Sequence, residues 1–219
     1  PASLSDAPAW PDVRDFGSAV VADPDFAFAF AIPTFLSGGL AGSVASSLIG
    51  TLLATPHRPA QAQPDGELDV PYVTTPQNVV DAMLELAQVR PGDRLLDLGS
   101  GDGRIVITAA RRFGVSGLGI EIDPALVELS RKNASAQGVA EQARFVVADL
   151  MIADLGRFNV ITMYLLPDVN LLLRPKLRSL PAGTRIVSHD WDMGDWLPER
   201  TVEVVAPDKR VGLRKVSRL

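Results

Sequence analysis

The sequence predicts an α/β protein built on a parallel sheet, and three observations carry that prediction. Residues 94–98, R-L-L-D-L, form a short apolar run holding one acid, the pattern of a buried parallel strand. Glycines at 99, 101 and 103 follow, and then residues 104–113 show helical spacing that stops at Gly114. A second apolar run, residues 117–120, closes on Glu121-Ile122-Asp123-Pro124. Strand, glycine turn, helix and strand in that order make a βαβ unit.

The chain has 219 residues, 47% hydrophobic and 21% charged, which suits one globular domain and an appendage. A net charge of −5 argues against a general nucleic-acid binder. There is no cysteine, which excludes disulfides, thiol catalysis and thiolate metal sites. His57 and His189 are the only histidines and lie far apart in sequence, so no metal centre is expected.

Residues 1–33 read as a polar N-terminal tail: Asp6, Asp12, Asp15, Asp23 and Asp25 face the single Arg14. Pro1 is what removal of an initiator methionine would leave, so a native start is the expectation. From residue 26 to residue 56 there is no charged side chain. Residues 34–56 are expected to form a transmembrane helix, since residues 34–54 at about 1.5 Å each cross a hydrocarbon layer of about 30 Å. Gly38, Gly42, Ser46 and Gly50 recur every four residues, the stripe of a tightly packed membrane-helix pair. A partner helix or membrane complex is therefore the expected neighbour. Two other readings stay open. One is a secretory signal, with Ala60-Gln61-Ala62 as an A-x-A site. The other is a buried soluble helix weakened by its glycines. Residues 57–70 are a proline-containing linker, ahead of a domain spanning 71–219.

Residues 71–75 lead into a helix with Thr75 as N-cap and Pro76 at its first position. Val79, Val80, Met83, Leu84 and Ala87 make its apolar face, and Pro91-Gly92 ends the unit. Asp123 and Pro124 cap a further helix that stops near Gly138. Residues 144–148 are a third strand ending at Asp149, and residues 158–164 a fourth, with Met163 and Leu165 in the core. Pro175 is expected to break the helical pattern that follows. Residues 184–188 are a fifth strand, and segments 201–205 and 211–216 a closing antiparallel hairpin. Trp191 and Trp196 either shape an entrance or cover the sheet edge.

The glycine turn lets a ligand approach the backbone closely, and the helix after it offers free N–H groups and a positive dipole end. An acid about twenty residues on, Glu121, stands where nucleotide-binding βαβ units hold ribose hydroxyls. The spacing is G-x-G-x-G, not the dinucleotide G-x-G-x-x-G.

D-L-G-S-G-D-G-R followed by G-I-E-I-D resembles the S-adenosylmethionine (SAM) pocket of class I methyltransferases. P-Y-V-T-T-P-Q-N-V-V, M-Y-L-L-P-D-V-N and R-I-V-S-H-D-W-D-M-G-D-W resemble one branch of that superfamily. The branch holds small archaeal protein-lysine methyltransferases, the related mitochondrial enzymes and many bacterial homologues. The resemblance implies a Rossmann-like sheet with helices on both faces and SAM as cofactor. It places cofactor contacts at Tyr72, Thr75, Asp97, Gly99, Gly101, Gly103, Glu121 and Asp149. In the family the segment before the first helix, usually Y-V-P-T-P, covers the pocket; here Thr74 replaces the inner proline. Asp149 would accept from the adenine amino group, or else serve as a helix cap or solvated acid. Ligands sit at the carboxyl ends of strands in such sheets, so Tyr164, Asp168 and Asn170 after the fourth strand face the methyl-transfer region, with Tyr164, Asn170 and His189 as the catalytic candidates, His189 being equally readable as a structural histidine.

Two functions follow as expectations. The first is a membrane-anchored, single-pass, SAM-dependent methyltransferase of protein lysine. Its soluble domain would be cytoplasmic if it is active, because SAM is a cytosolic metabolite. The second is a methyltransferase-like structural subunit of a membrane complex with little turnover.

Overall fold

A computed structural model of the chain describes residues 72–210 and 215–219. The expected membrane helix, with its Gly38/Gly42/Ser46/Gly50 stripe, and the linker lie outside the described residues. Among the described residues no helix is long and apolar enough to cross a membrane.

The elements run α1 (Gln77–Leu86), β1 (Arg94–Leu98), α2 (Arg104–Phe113), β2 (Ser116–Glu121), α3 (Pro124–Ala136), β3 (Ala143–Val147), β4 (Val160–Met163), α4 (Pro167–Arg178), β5 (Arg185–Ser188), β6 (Glu203–Val205) and β7 (Val216–Arg218). β1 to β5 form one sheet in the order β3-β2-β1-β4-β5, parallel throughout. The strand order reverses between β1 and β4, the place where open α/β sheets bind ligands.

Strand alternation sends side chains to two cores. Leu95, Phe145 and Val160 pack with α1, α2 and α3, while Leu96, Leu98, Val146, Ile161 and Met163 pack with Leu173 and Leu177 of α4. Helices therefore cover both faces, as the sequence predicts. Val79, Val80, Met83, Leu84 and Ala87 are all buried, and Asp123 Oδ1 caps α3 by accepting from Ala125 N. α2 ends at Gly114 in the left-handed region, with the Gly114 N–H returning to Ala110 O.

Three expectations are corrected. Thr75 does not cap α1: the cap is Pro76, with no side-chain hydrogen bond, because the Thr75 hydroxyl is turned instead toward His189. Pro175 does not break α4, which runs through it to Arg178. The proline removes the bond to the Leu171 carbonyl, but Leu171 and Leu172 are exposed, so that carbonyl lies on a face open to water. The closing hairpin exists as β6 and β7, but as a separate two-stranded antiparallel sheet. Its second strand is residues 216–218, later than expected, and residues 211–214 lie outside the described set. Ala206 and Leu219 bury it against the α1 core, and Asn78 Nδ2 donates to Val205 O at 2.7 Å.

Candidate active site

The site is built at the carboxyl ends of β1, β2, β4 and β5. β1 delivers the glycine loop. Gly99 and Ser100 both donate their N–H to Ile120 O, which folds the loop back over β2. Gly101 has φ +53°, and a Cβ there would stand 2.6 Å from Tyr72 Cε2. Gly103 has φ +81° and is the N-cap of α2, where a Cβ would meet Phe145 Cζ at 2.6 Å. Both positions need glycine for conformation and for space. α3 holds the loop's carbonyls: Ser130 Oγ donates to Gly101 O and Asn133 Nδ2 to Asp102 O. Ser100 Oγ is buried with no protein partner, a polar atom left over beside the loop.

Glu121, ending β2, accepts from Gly101 N through Oε2 at 2.9 Å, and from Ile122 N and Asp123 N through Oε1. It thus joins the glycine loop to the turn before α3. Asp97 sits beneath the loop, buried between β1 and β4, and accepts from Thr162 Oγ1 at 2.7 Å. Burial pushes it up to about 8, so it is a largely neutral strut at pH 7. Asp149 follows β3; its Oδ1 accepts from Met151 N at 2.8 Å, and Ile122, Met151 and Ile152 are exposed.

The segment before α1 covers the loop. Tyr72, half exposed, lies against Gly101. Burial, then the Asp102 carboxylate, raises the Tyr72 hydroxyl above its usual range. Burial alone would raise Asp102 too, but hydrogen bonds and charge from Arg104 hold it below the carboxylate range. Arg104 Nη1 donates to Thr75 O at 2.7 Å, so the Asp102–Arg104 pair fastens segment 72–75 to the glycine loop.

The other half of the site lies beyond β4 and β5. The Tyr164 ring stacks on His189, centroids 3.9 Å apart. His189 is fully buried, with Nδ1 3.2 Å from Thr75 Oγ1 and Nε2 2.8 Å from Ser217 Oγ. Burial lowers it to about 4, so it is neutral at pH 7 and packs behind Tyr164. Burial, then the Asp190 carboxylate, raises Tyr164. Asn170, in the first turn of α4, is also buried. Its Nδ2 donates to Ser188 Oγ and to Trp191 O, while its Oδ1 has no protein partner. It clamps the loop carrying Trp191, which is 43% exposed. Trp196 instead packs on the α4-side core with the Arg178 guanidinium 5.6 Å over its ring. Of the two tryptophans, Trp191 alone is free to shape an entrance.

Sequence reading missed Ser130, Asn133, Asp102, Arg104, Asp190 and Ser217. D-G-R and H-D lay inside motifs already singled out. Ser130 and Asn133 could have been read as polar residues three apart on one face of α3. Nothing in the sequence could have placed Ser217 on His189.

Among the described residues no cluster of His, Cys, Asp and Glu could hold a metal ion. The groups present suit SAM: glycines that a Cβ would fill, an acid at the end of β2, and an uncapped helix N-terminus. This sheet order with this loop defines a class I SAM-dependent methyltransferase. Residues 97–200 match the family model of the ANTKMT methyltransferase domain. The chain is 42% identical over 137 residues to the protein-lysine N-methyltransferase of Saccharolobus islandicus, covering 62% of this chain and 85% of that one. It is 38% identical to the adenine nucleotide translocase lysine N-methyltransferase of Mus musculus, covering 62% of this chain and 59% of the mouse protein. A crystal structure described as an RNA methyltransferase from Salinibacter ruber with S-adenosyl-L-homocysteine is 59% identical, with TM-score 0.58 over 59% of this chain and 86% of that one. The chain therefore belongs to the protein-lysine methyltransferase branch of the class I enzymes.

Proposed function

We propose that this chain transfers methyl groups from SAM to lysine side chains of a protein. The observation that carries the reading is the reach of one short segment: Tyr72 lies on the glycine loop while Thr75 touches His189 behind Tyr164. Cofactor half and acceptor half are thereby joined at one cleft. The relatives named as lysine methyltransferases support the acceptor class.

In this reading Gly99, Gly101 and Gly103 receive the amino-acid end of SAM and Glu121 its ribose. Asp149, with Ile122 and Met151, lines the adenine side, while Tyr72 and Thr75 close the cover. SAM when bound supplies a sulfonium methyl: the lysine N–C bond forms as the S–C bond breaks, leaving a neutral thioether and releasing a proton to water. The chain itself has to align donor and acceptor and to admit the amine uncharged. Lysine at its ordinary pKa of about 10.4 is mostly protonated at neutral pH. A half-buried Tyr164 backed by a neutral His189 provides a desolvated, uncharged wall that favours the free amine. Calorimetry with the full chain tests the cofactor half: SAM should bind with one site per chain, and no heat at millimolar SAM would refute it.

The finer expectation of a membrane anchor also stays a proposal. The uncharged stretch 26–56 and its small-residue stripe support it, and an active domain would then face the cytoplasm. The structural-subunit reading has no support among the named relatives, which are described as enzymes.

A further inference from the structure

Beyond the residues so far given roles, one lysine in the last turn of α4 holds the turn that carries Asp149. β3 ends at Val147, paired in register with Glu121 of β2, and Ala148 N donates to Glu121 O at 3.0 Å. The turn over residues 149–153 therefore starts at the carboxyl end of the sheet, next to the strand that delivers Glu121. Three of its N–H groups are satisfied within the turn. Met151 N donates to Asp149 Oδ1 at 2.8 Å, and Ile152 N and Ala153 N both donate to Asp149 O. The far end is anchored, because Ala153 and Leu155 are buried in the core that holds Leu173 and Leu177 of α4. The middle is tied to α4 by one side chain: Lys176 Nζ donates to Met151 O at 2.9 Å and to Leu150 O at 3.4 Å.

An ammonium carries three N–H donors, and its bonds to carbonyl oxygens are charge-assisted. Lys176 thus fixes two successive peptide groups of the turn, the next two after Asp149. The same turn exposes Met151 and Ile152, and Ile122 is exposed after β2. Apolar side chains in water at the ends of neighbouring strands suit the flat face of a purine, and a carboxylate on the same turn suits its amino group. A hydrogen bond is sensitive to a few tenths of an ångström, so whatever holds the turn sets how well the base is read. We propose that Lys176 is a positioning residue for the cofactor: by fastening Leu150 O and Met151 O to α4 it sets Asp149 where its carboxylate accepts from the adenine amino group. This rests on the adenine placement given above and is independent of the methyl acceptor.

The test is calorimetry on the purified chain with two ligands, S-adenosyl-L-homocysteine and S-inosyl-L-homocysteine, in which a carbonyl replaces the amino group. Wild type should prefer the adenosyl ligand by about tenfold or more, because in the other a carboxylate meets a carbonyl. Lys176→Met cannot donate. It should weaken the adenosyl ligand by about tenfold, roughly the loss of one hydrogen bond to a charged group, and the inosyl ligand by less than about twofold. Lys176→Arg, which keeps a cationic donor, should stay within about threefold of wild type for both ligands. In an Asp149→Ala background Lys176→Met should cost nothing further, because the group it positions is gone. A melting curve for each variant shows that it is folded. If Lys176→Met does not fold, Lys176→Gln, too short to span the same gap, replaces it in every comparison. Full preference in Lys176→Met, equal weakening of both ligands, Lys176→Arg as impaired as Lys176→Met, or a further fall in the Asp149→Ala background would overturn the role of Lys176 while leaving the adenine placement standing. A wild type that binds the two ligands equally would overturn the adenine placement, and the role of Lys176 with it.

Discussion

Thr75 Oγ1 lies 3.2 Å from His189 Nδ1, which ties the segment ahead of α1 to the end of β5, 114 residues away. The contact explains why Thr75 is no helix cap and why His189 is no free base. It also gives the domain a pH signature.

The first prediction concerns that signature. His189 is depressed to about 4 from 6.5, so its contribution to stability is complete above pH 6.5 and is lost as pH falls toward 4. Asp97 works the other way. It is raised from 3.8 to about 8, so the folded state keeps a proton that the unfolded chain has lost, and stability declines as pH rises from 4 to 8. Between pH 6.5 and 8 Asp97 acts alone. Asp97→Asn, which removes the titration and keeps an acceptor for Thr162, should raise the Tm near pH 8 and converge on wild type near pH 4. Thermal melts across that range check this. A variant that is less stable at pH 8 would show that Asp97 is ionised and paired.

The second prediction addresses the loop. Gly101→Val puts a branched side chain where a Cβ is already 2.6 Å from Tyr72, at φ +53°. SAM binding by calorimetry should vanish. Glu121→Ala removes the acceptor of Gly101 N and of two N–H groups before α3, and should weaken SAM by about tenfold or more, about 1.4 kcal/mol. Wild-type affinity in either variant would mean that SAM does not lie on this loop.

A third prediction separates stability from function. Asp93, buried at the start of β1, is paired with Arg185 of β5 and bonded by Asn159 Nδ2, while Arg185 also donates to Ala87 O and Gln88 O. Arg185→Met leaves that carboxylate buried without its cation and should cost about 3 kcal/mol of stability. It lies at the opposite end of the strands from the site, so the SAM affinity of the folded variant should be unchanged. A melt within a degree of wild type would show that water already screens the pair.

What could be read in advance follows from range. The glycine loop, α2 to Gly114 and the Asp123 cap of α3 are written in adjacent residues, and the structure reproduces them. α4 running through Pro175 could not be read, because the tolerance depends on Leu171 lying on an exposed face. The Thr75 hydroxyl had a local use, capping, and a distant one, His189; tertiary packing chose the second. The acceptor half of the site joins β4, β5 and the chain's last residues, and no spacing rule links Tyr164, Asp190 and Ser217.

The fourth prediction lies outside the described residues. If residues 34–54 span a membrane on their small-residue face, Gly42→Ile should keep the protein in the carbonate-resistant fraction but release a co-purifying partner. Leu40→Ile, on another face, should do little. Wild-type chain that washes off with carbonate would remove the anchor.

The central claim is methyl transfer from SAM to protein lysine, and one measurement meets it directly. The purified chain is incubated with methyl-labelled SAM and with protein and RNA fractions, and the labelled product is hydrolysed and identified by mass. Label on the lysine side-chain nitrogen, absent with Gly101→Val, is the predicted result. Label confined to RNA, or SAM bound without any labelled protein, would contradict it.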